Sequence, residues 1–198
     1  METTFFLSTF CILNKFKVII METTTAQSPP RTLLEVFKSL PEGTLAQLIK
    51  NNLVMTPAPL IRHQKILRDI FGSLFIFLSK NPLGELLAAP VDVYLDEENV
   101  FQPDITFIRK ENSDIIREDG IYGAPDIIIE ILSPSTAHYD LNEKKQVYKQ
   151  AGVQEYQVVD PENKETKGFF LKSGKFVKPV SGKGKITSQI LNNFENRD

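Results

Sequence analysis

The residues best placed to do chemistry are two carboxylates, Asp104 and Glu130, and one lysine, Lys144. Glu130 interrupts the apolar run 126–132, where an unpartnered carboxylate costs roughly several kcal/mol or takes up a proton. Asp104 directly follows Pro103 at the start of another predicted strand. Two carboxylates that converge repel each other unless a cation lies between them, and Mg²⁺ prefers such oxygen ligands. A lysine beside a metal-bound water would complete a site suited to phosphodiester hydrolysis.

Lys144 lies in segment 136–151, which the pattern predicts to be a helix ending at Gly152. At about 100° per residue, the apolar positions of this helix gather on one side, and Lys144 falls near the middle of that stripe. Asp140 lies at the margin of the stripe, one turn before Lys144, and could hold the lysine in place. A structural salt bridge between Glu130 and Lys144, or a lysine that reaches past the strand end to solvent, explains the same pattern. The pair alone leaves the catalytic and the structural interpretation open.

The composition describes one ordinary globular domain, because 198 residues with 41% hydrophobic and 24% charged can build a sizeable core. Cys11 is the only cysteine, which excludes an internal disulfide and favours a cytoplasmic location. Together with His63 and His138 it cannot form a closed zinc site. The net charge of −2 argues against a generally basic nucleic-acid binder, although the seven lysines and one glutamate of 164–185 give that segment +6. The segment could contact phosphates or form a solvated hairpin.

The N-terminal residues 1–31 are expected to be disordered or wrongly assigned, and residues 32–198 to form a single domain. The tetrapeptide METT occurs at residues 1–4 and again at 21–24, which suggests Met21 as the working start. The first apolar run precedes its lysines, whereas a signal peptide carries its positive charge first. The run is also too short to span a membrane, so a weak membrane anchor is the less favoured alternative.

Hydrophobic periodicity and turn signals predict the elements of the domain. The predicted helices span 32–40, 60–80 and 136–151, and the predicted strands span 45–49, 53–55, 85–95, 104–109, 126–132, 155–159, 166–171 and 175–180. The turn 96–99 should return the chain so that 104–109 pairs antiparallel with 85–95. A helix between 126–132 and 155–159 implies a right-handed crossover and parallel pairing of those two strands. The expected fold is α/β, with a mixed β-sheet core in the order αβββαβ, flanking helices, and extra N- and C-terminal hairpins.

Several of these residues recur together in the pattern of a known family. Pro103-Asp104, followed by Glu130 in an apolar strand, resembles the PD-(D/E)XK nuclease pattern. The segments that carry a closer resemblance are QPDITFI (102–108), GAPDIIIEILSPST (123–136), Asp140, Lys144, Tyr148 and EYQVVDP (155–161). Together they are similar to the Uma-two family of restriction-endonuclease-like proteins, from about Thr32 to the C-terminus. The resemblance implies a bacterial protein with a restriction-endonuclease-like fold.

Carried over residue by residue, the resemblance implies that Asp104 and Glu130 are catalytic acids that bind Mg²⁺ or Mn²⁺. It implies that the backbone carbonyl of Ile131 is a further ligand. Leu132 stands where the general pattern has its lysine, so the lysine role moves to Lys144 on the helix. This placement agrees with the helical stripe described above.

One position departs from the family pattern. Family members usually carry a tyrosine-glutamate pair before the equivalent of Leu48-Ile49, whereas Gln47 stands in the glutamate position here. Gln47 can ligate through its carbonyl oxygen but supplies no charge. His63 could touch substrate or the acidic cluster, or it could cap or pack the start of a helix. Ser133 is expected to cap the turn from strand to helix.

The expected function is that of a metal-dependent endonuclease acting on DNA, without membrane association. A two-fold pair of chains would suit the cutting of two strands. The rival is a nucleic-acid-binding or assembly protein that keeps the fold without cleavage, which Gln47 favours and the three residues Asp104, Glu130 and Lys144 oppose. A plain structural domain with a buried Glu–Lys pair is the third interpretation, and it does not explain the placement of Asp104.

Overall fold

A computed structural model describes residues 29–177 and 179–196 of the chain. The helices are α1 (Leu33–Lys38), α2 (Ile61–Lys80), a 3₁₀ helix (Lys110–Ile115), α3 (Ala137–Tyr139), a π-helical turn (Asp140–Lys144) and α4 (Lys145–Ala151). The strands are β1 (Ala46–Leu48), β2 (Leu53–Met55), β3 (Gly84–Ala88), β4 (Val93–Tyr94), β5 (Val100–Phe101), β6 (Ile105–Arg109), β7 (Ile116–Arg117), β8 (Gly120–Tyr122), β9 (Ile127–Ile131), β10 (Glu155–Val159), β11 (Glu165–Lys172), β12 (Lys175–Phe176), β13 (Val180–Lys183), β14 (Thr187–Ser188) and β15 (Phe194–Glu195). The predictions for residues 1–28 lie outside the described residues.

The larger sheet has β9 near its middle and runs in the order β12-β11-β10-β9-β6-β3, with β13 also paired to β11. β9 is antiparallel to β6 and parallel to β10. All five residues of β9 are buried, as a β-branched strand covered on both faces should be. The predicted parallel pairing of this strand with 155–159 is therefore confirmed, and so is the mixed α/β fold.

The two faces of β9 pack against different helices. Ile127, Ile129 and Ile131 join the cluster that α2 covers. Ile128 faces the other way, into a cluster that contains Val147 of α4. Side chains alternate along a strand, so Glu130 lies on the same face as Ile128 and points toward the helical segment 137–151.

A smaller sheet in the order β2-β1-β5-β4-β8-β7 packs beside the larger one. The prediction of one strand over 85–95 is wrong, because β3 pairs with β6 in the larger sheet and β4 pairs with β5 in the smaller sheet. Pro90 separates the two strands, and a proline cannot donate a hydrogen bond to a continuing ladder. The turn 96–99 consequently closes the β4–β5 hairpin rather than a β3–β6 hairpin.

All three predicted helical segments are present. Thr32 caps α1 by accepting a 3.1 Å hydrogen bond from the backbone N–H of Glu35. α2 buries one face against the larger sheet, and no helix in the described part of the chain is long and apolar enough to cross a membrane. The predicted helix 136–151 is interrupted by the π-helical turn and ends at Gly152, whose φ of 97° favours glycine. We call residues 137–151 the interrupted helix.

The predicted C-terminal hairpin is confirmed at its turn, where Ser173 and Gly174 both have positive φ and join β11 to β12. The predicted strand 175–180 is wrong in its second half, since β12 ends at Phe176 and β13 begins at Val180. β13 then pairs with the other end of β11, so the long strand β11 pairs with both short strands, β12 and β13.

Candidate active site

The two predicted metal-binding carboxylates come from neighbouring strands of the larger sheet. β6 and β9 are antiparallel, so the start of β6 lies beside the end of β9, and Ile105 pairs with Ile129. Continuing this register by one residue places Asp104 opposite Glu130. Both residues line one cleft of about 440 Å³. The cleft lies between the two sheets, the start of α2 and the start of the interrupted helix.

Asp104 is fixed by two hydrogen bonds to the same carboxylate oxygen. The backbone N–H of Ile131 donates to Asp104 Oδ2 at 2.7 Å, and His63 Nε2 lies 3.2 Å from that oxygen. Burial lowers the pKa of His63, but the hydrogen bond and the charge of Asp104 outweigh it, so the net pKa is raised. His63 therefore contacts an acid of the predicted site and is also buried at the start of α2, so the structure agrees with both of its predicted roles.

Glu130 and Lys144 form a buried ion pair. The Nζ of Lys144 lies 2.7 Å from Glu130 Oε1, with side-chain exposures of 3% and 5%. The same ammonium lies 2.9 Å from Asp140 Oδ1, four residues earlier in the helix. Tyr148 donates its hydroxyl to Glu130 Oε1 at 2.8 Å. The predicted contact between Asp140 and Lys144 is thus present, and Lys144 is shared by two carboxylates.

The electrostatics of this cluster follow from its burial. Desolvation raises the pKa of Glu130, with the charge of Lys144 opposing the rise and Asp140 and Asp104 adding to it. Burial lowers the pKa of Lys144, but its two carboxylate partners outweigh burial and leave the pKa raised, so the side chain stays an ammonium. Burial and Glu130 together raise the pKa of Tyr148, which therefore remains a hydrogen-bond donor.

Hydroxyl groups line the cleft where β9 passes into the interrupted helix. Ser133 Oγ lies 2.7 Å from Thr136 Oγ1, and Thr136 Oγ1 lies 3.4 Å from Asp140 Oδ2. Ser133 Oγ also lies 3.2 Å from Ser135 Oγ. The side chain of Ser133 therefore binds neighbouring hydroxyls, while its backbone carbonyl accepts from the N–H of Ala137 at 2.9 Å and begins the helix.

Gln47 and Ile131 also line the cleft. Gln47 is buried in β1, and its Oε1 accepts a 3.2 Å hydrogen bond from the backbone N–H of Gln102. The side chain of Gln102 donates in turn to Asp92 at 2.8 Å. Gln47 is thus held in position at the cleft as an uncharged amide, where a glutamate would add a third carboxylate to those of Asp104 and Glu130.

Sequence reasoning assigned no role to Tyr148 in the ion pair. The signal was its position, since Tyr148 follows Lys144 by four residues in the same helical stripe and reaches the same Glu130 oxygen. Lys144 itself lies behind Glu130 and Asp140, which line the cleft, and is not among the lining residues. In this arrangement the ammonium of Lys144 contacts the two carboxylates and does not line the cleft.

The donor set fits a divalent cation. Among the residues that the structure describes, no group of three or more His, Cys, Asp and Glu side chains could hold a metal ion by itself. Two carboxylates completed by waters, a carbonyl or substrate oxygens are, however, the usual protein ligands of Mg²⁺. The formal charges of Asp104, Glu130 and Asp140 sum to −3 against the single ammonium of Lys144, and a bound dication would offset the difference and favour the ionised form of Glu130.

The fold is similar to that of a solved protein. The crystal structure of a "putative nuclease belonging to DUF820" from Anabaena variabilis ATCC 29413 matches with a TM-score of 0.64 and 17% sequence identity. The match covers 77% of this chain and 84% of that chain. At this identity the likeness establishes the fold alone. None of the curated proteins compared with the chain matches it.

The sequence itself matches a family. The model of the Uma2 family, described as "Putative restriction endonuclease", matches residues 34–195. This range contains every predicted site residue and most of the chain. The resemblance derived from residues 102–161 is therefore confirmed, and the chain belongs to the Uma2 family.

Proposed function

We propose that the chain is a metal-dependent endonuclease that hydrolyses phosphodiester bonds in DNA. One observation carries the proposal: Asp104 and Glu130, which come from the adjoining ends of two paired strands, line one cleft, and Lys144 is bound to Glu130. Membership of a family described as restriction endonucleases supports the same activity.

Each side chain of the site has a distinct task in this proposal. Asp104 and Glu130 would hold Mg²⁺ or Mn²⁺, with the Ile131 carbonyl and Gln47 as neutral oxygen donors. A bound ion of this kind lowers the pKa of a coordinated water and offsets charge on a phosphoryl oxygen. Lys144 opposes the rise in the pKa of Glu130 that burial causes, and so favours the ionised carboxylate that a metal ion would need.

Tyr148 and Asp140 hold the side chains of Glu130 and Lys144 in position. Tyr148 donates to the Glu130 oxygen that Lys144 also contacts, which fixes the orientation of the carboxylate. Asp140 binds Lys144 from the preceding helical turn. His63 holds Asp104 from the other side of the cleft. Positioned groups of this kind reduce the reorganisation that a reaction requires.

The test is Mn²⁺-dependent nicking of supercoiled plasmid by Asp104→Asn and Glu130→Gln. Each variant keeps the shape of its side chain and removes a ligand charge, so the rate should fall at least about 100-fold. The matched control is Glu155→Gln, because Glu155 is a buried glutamate that binds the backbone N–H groups of Gln189 and Ile190 instead. The control should nick DNA at the wild-type rate.

Thermal melts of the same variants separate catalysis from stability. Asp104→Asn should remain folded, since loss of one negative charge from a repelling cluster does not expose a buried partner. Full nicking activity in both cleft variants would refute the assignment of the acids. Wild-type protein that binds DNA and never nicks it would favour the second candidate function.

That second candidate is a nucleic-acid-binding or assembly protein that keeps the nuclease fold without cleavage. Gln47 is the observation that favours it, since an amide occupies a cleft position where the family usually carries an acid. With two carboxylates the site would bind a dication more weakly than with three. Isothermal titration with Mn²⁺ distinguishes the candidates, because a competent site binds the ion and Glu130→Gln abolishes that binding.

The proposed setting is the bacterial cytoplasm. The one cysteine of the sequence, Cys11, fits a reducing compartment. Double-strand cleavage by one active site per chain would require a two-fold pair of chains, and light scattering in the presence of DNA tests for that pair.

A further inference from the structure

A second concave surface lies on the outer side of the interrupted helix. It is a groove of about 710 Å³ between that helix and the β11–β12 hairpin, with Lys50 of the β1–β2 turn at its rim. Phe169 and Phe176 contribute apolar surface, with ring centroids 5.9 Å apart. The cleft and this groove share no lining residue, although both are built on the interrupted helix. We call it the lysine groove.

The titratable residues of the lysine groove are mostly cationic. Of the residues that the structure describes, four lysines and one glutamate line it: Lys50, Lys145, Lys149, Lys175 and Glu143. Their formal charges sum to +3. A concave surface of one sign concentrates its field, so the groove attracts anions more strongly than scattered surface lysines do.

These four lysines also lack anionic partners. Within the described part of the chain, none of them forms an ion pair within 4.0 Å. A few surface cations elsewhere do have partners, as Arg62 has in Glu162 and Lys185 in Glu195. Lys145 is instead held over the ring of Phe169, with its Nζ 4.7 Å from the ring centroid. The groove therefore presents positive charge that its own carboxylates leave largely uncompensated.

We propose that the lysine groove binds the phosphate backbone of DNA beside the segment that enters the cleft. The inference rests on the proposed function for the identity of the polyanion, and it adds where the flanking backbone is held. Phosphates provide the repeated negative charge that the four lysines lining one groove match, and backbone contacts of this kind position a duplex without reading its sequence. The apolar surface of Phe176 suits the sugar face of the same strand.

The groove is also correctly placed for this role. Asp140 lines the cleft, and the next residues, Leu141 and Asn142, line the groove. A strand of DNA that leaves the cleft across the first turns of the helix therefore reaches Lys145 and Lys149. The helix is tied to Glu130 by buried hydrogen bonds, so the two sites keep a fixed separation.

The test is the affinity of Lys145→Gln/Lys149→Gln for a fluorescein-labelled short DNA duplex, measured by anisotropy in EDTA. Loss of two phosphate contacts should weaken binding at least about tenfold at 50 mM salt and lower the slope of log K against log salt by about 2. The matched control is Lys80→Gln/Lys110→Gln, two exposed lysines of which the first ends α2 and the second follows β6. The control removes the same charge and should change the affinity by less than about twofold.

Glu143→Gln provides a change of the opposite sign. Removing the only carboxylate that lines the groove among the described residues should raise the affinity about two- to threefold. Melts of every variant should stay near that of the wild type, because none of these side chains is fully buried and none forms an ion pair in the described part of the chain.

The groove assignment is overturned if the double variant loses no more affinity than its control, or if the unsubstituted protein does not bind the duplex. The proposed function is judged separately, by Mn²⁺-dependent nicking. If the protein nicks DNA but the groove variant binds DNA as well as its control, the proposed function stands and the groove assignment fails. If the protein never nicks DNA, but Lys145→Gln/Lys149→Gln loses DNA affinity and the control does not, the groove assignment stands and the proposed function fails.

Discussion

Replacing Lys144 by methionine removes the ammonium that two buried carboxylates share. Glu130 and Asp140 would then lose partners at 2.7 Å and 2.9 Å in a place that water does not reach. Breaking a buried ion pair by deleting one partner costs about 3–5 kcal/mol, because the other charge stays buried. For a domain of this size the melting temperature should fall by about 6–20 °C.

The loss should depend on pH. Burial already raises the pKa of Glu130, and Lys144 is the group that opposes the rise. Without the ammonium, the pKa of the folded state lies still further above that of the unfolded chain. An acid with a raised pKa in the folded state contributes stability in acid and loses it as pH rises through that pKa. The deficit of Lys144→Met should therefore be smallest near pH 5 and largest above neutral pH.

Two further variants make the measurement decisive. Lys149→Met is the control, since Lys149 lies on the same helix without a buried partner, and its melting temperature should move by less than about 2 °C. Glu130→Gln/Lys144→Met removes both partners and should melt above Lys144→Met, because no charge at Glu130 is left unpaired. This account of the cluster would be refuted if Lys144→Met melted at the wild-type temperature. It would also be refuted if Glu130→Gln/Lys144→Met melted no higher than Lys144→Met.

Three more predictions concern other positions. Gln47→Glu should raise the stabilisation by Mn²⁺ in thermal melts and the nicking rate, while lowering the metal-free melting temperature through repulsion; an unchanged response to Mn²⁺ would contradict it. Gly84→Ala should lower the melting temperature, because the added Cβ would lie 2.0 Å from the backbone oxygen of Ile108. Gly72→Ala in α2 meets nothing within 4 Å and should instead stabilise by about 0.5–1 kcal/mol.

The larger sheet was predictable because its strands carry strong local signals. Four of the five residues of 127–131 are isoleucine, and the predicted helix after this run implies a crossover and hence parallel pairing. In the smaller sheet, the hairpin of β1 and β2 was predicted and is present, whereas β4 and β5 were not predictable in the same way. β4 and β5 have two residues each, which is too short for any alternation to appear. Their pairing depends on tertiary contacts, which single-sequence patterns do not contain.

The features of the candidate site also differ in whether a local sequence pattern predicts them. Lys144 was placed correctly from the helical stripe, because a regular helix converts spacing directly into direction. The contact of His63 with Asp104 joins α2 to β6 over 41 residues of sequence, and no local pattern encodes that distance. The π-helical turn was also missed, since residues 140–144 have no residue that forbids an ordinary helix. It coincides with the residues that hold the ion pair, where such turns often occur.

The interrupted helix links the two proposed sites mechanically. Asp140, Lys144 and Tyr148 follow one another at intervals of four residues on the side that faces the sheet. Lys145 and Lys149, each one residue further, form a second row that faces the groove. The first row cannot rotate without breaking the buried contacts to Glu130, so the second row is held at a fixed position relative to the cleft. A substitution in the first row should therefore disturb both cleavage and DNA affinity, whereas substitutions in the second row should reduce affinity and leave the stability of the ion pair intact.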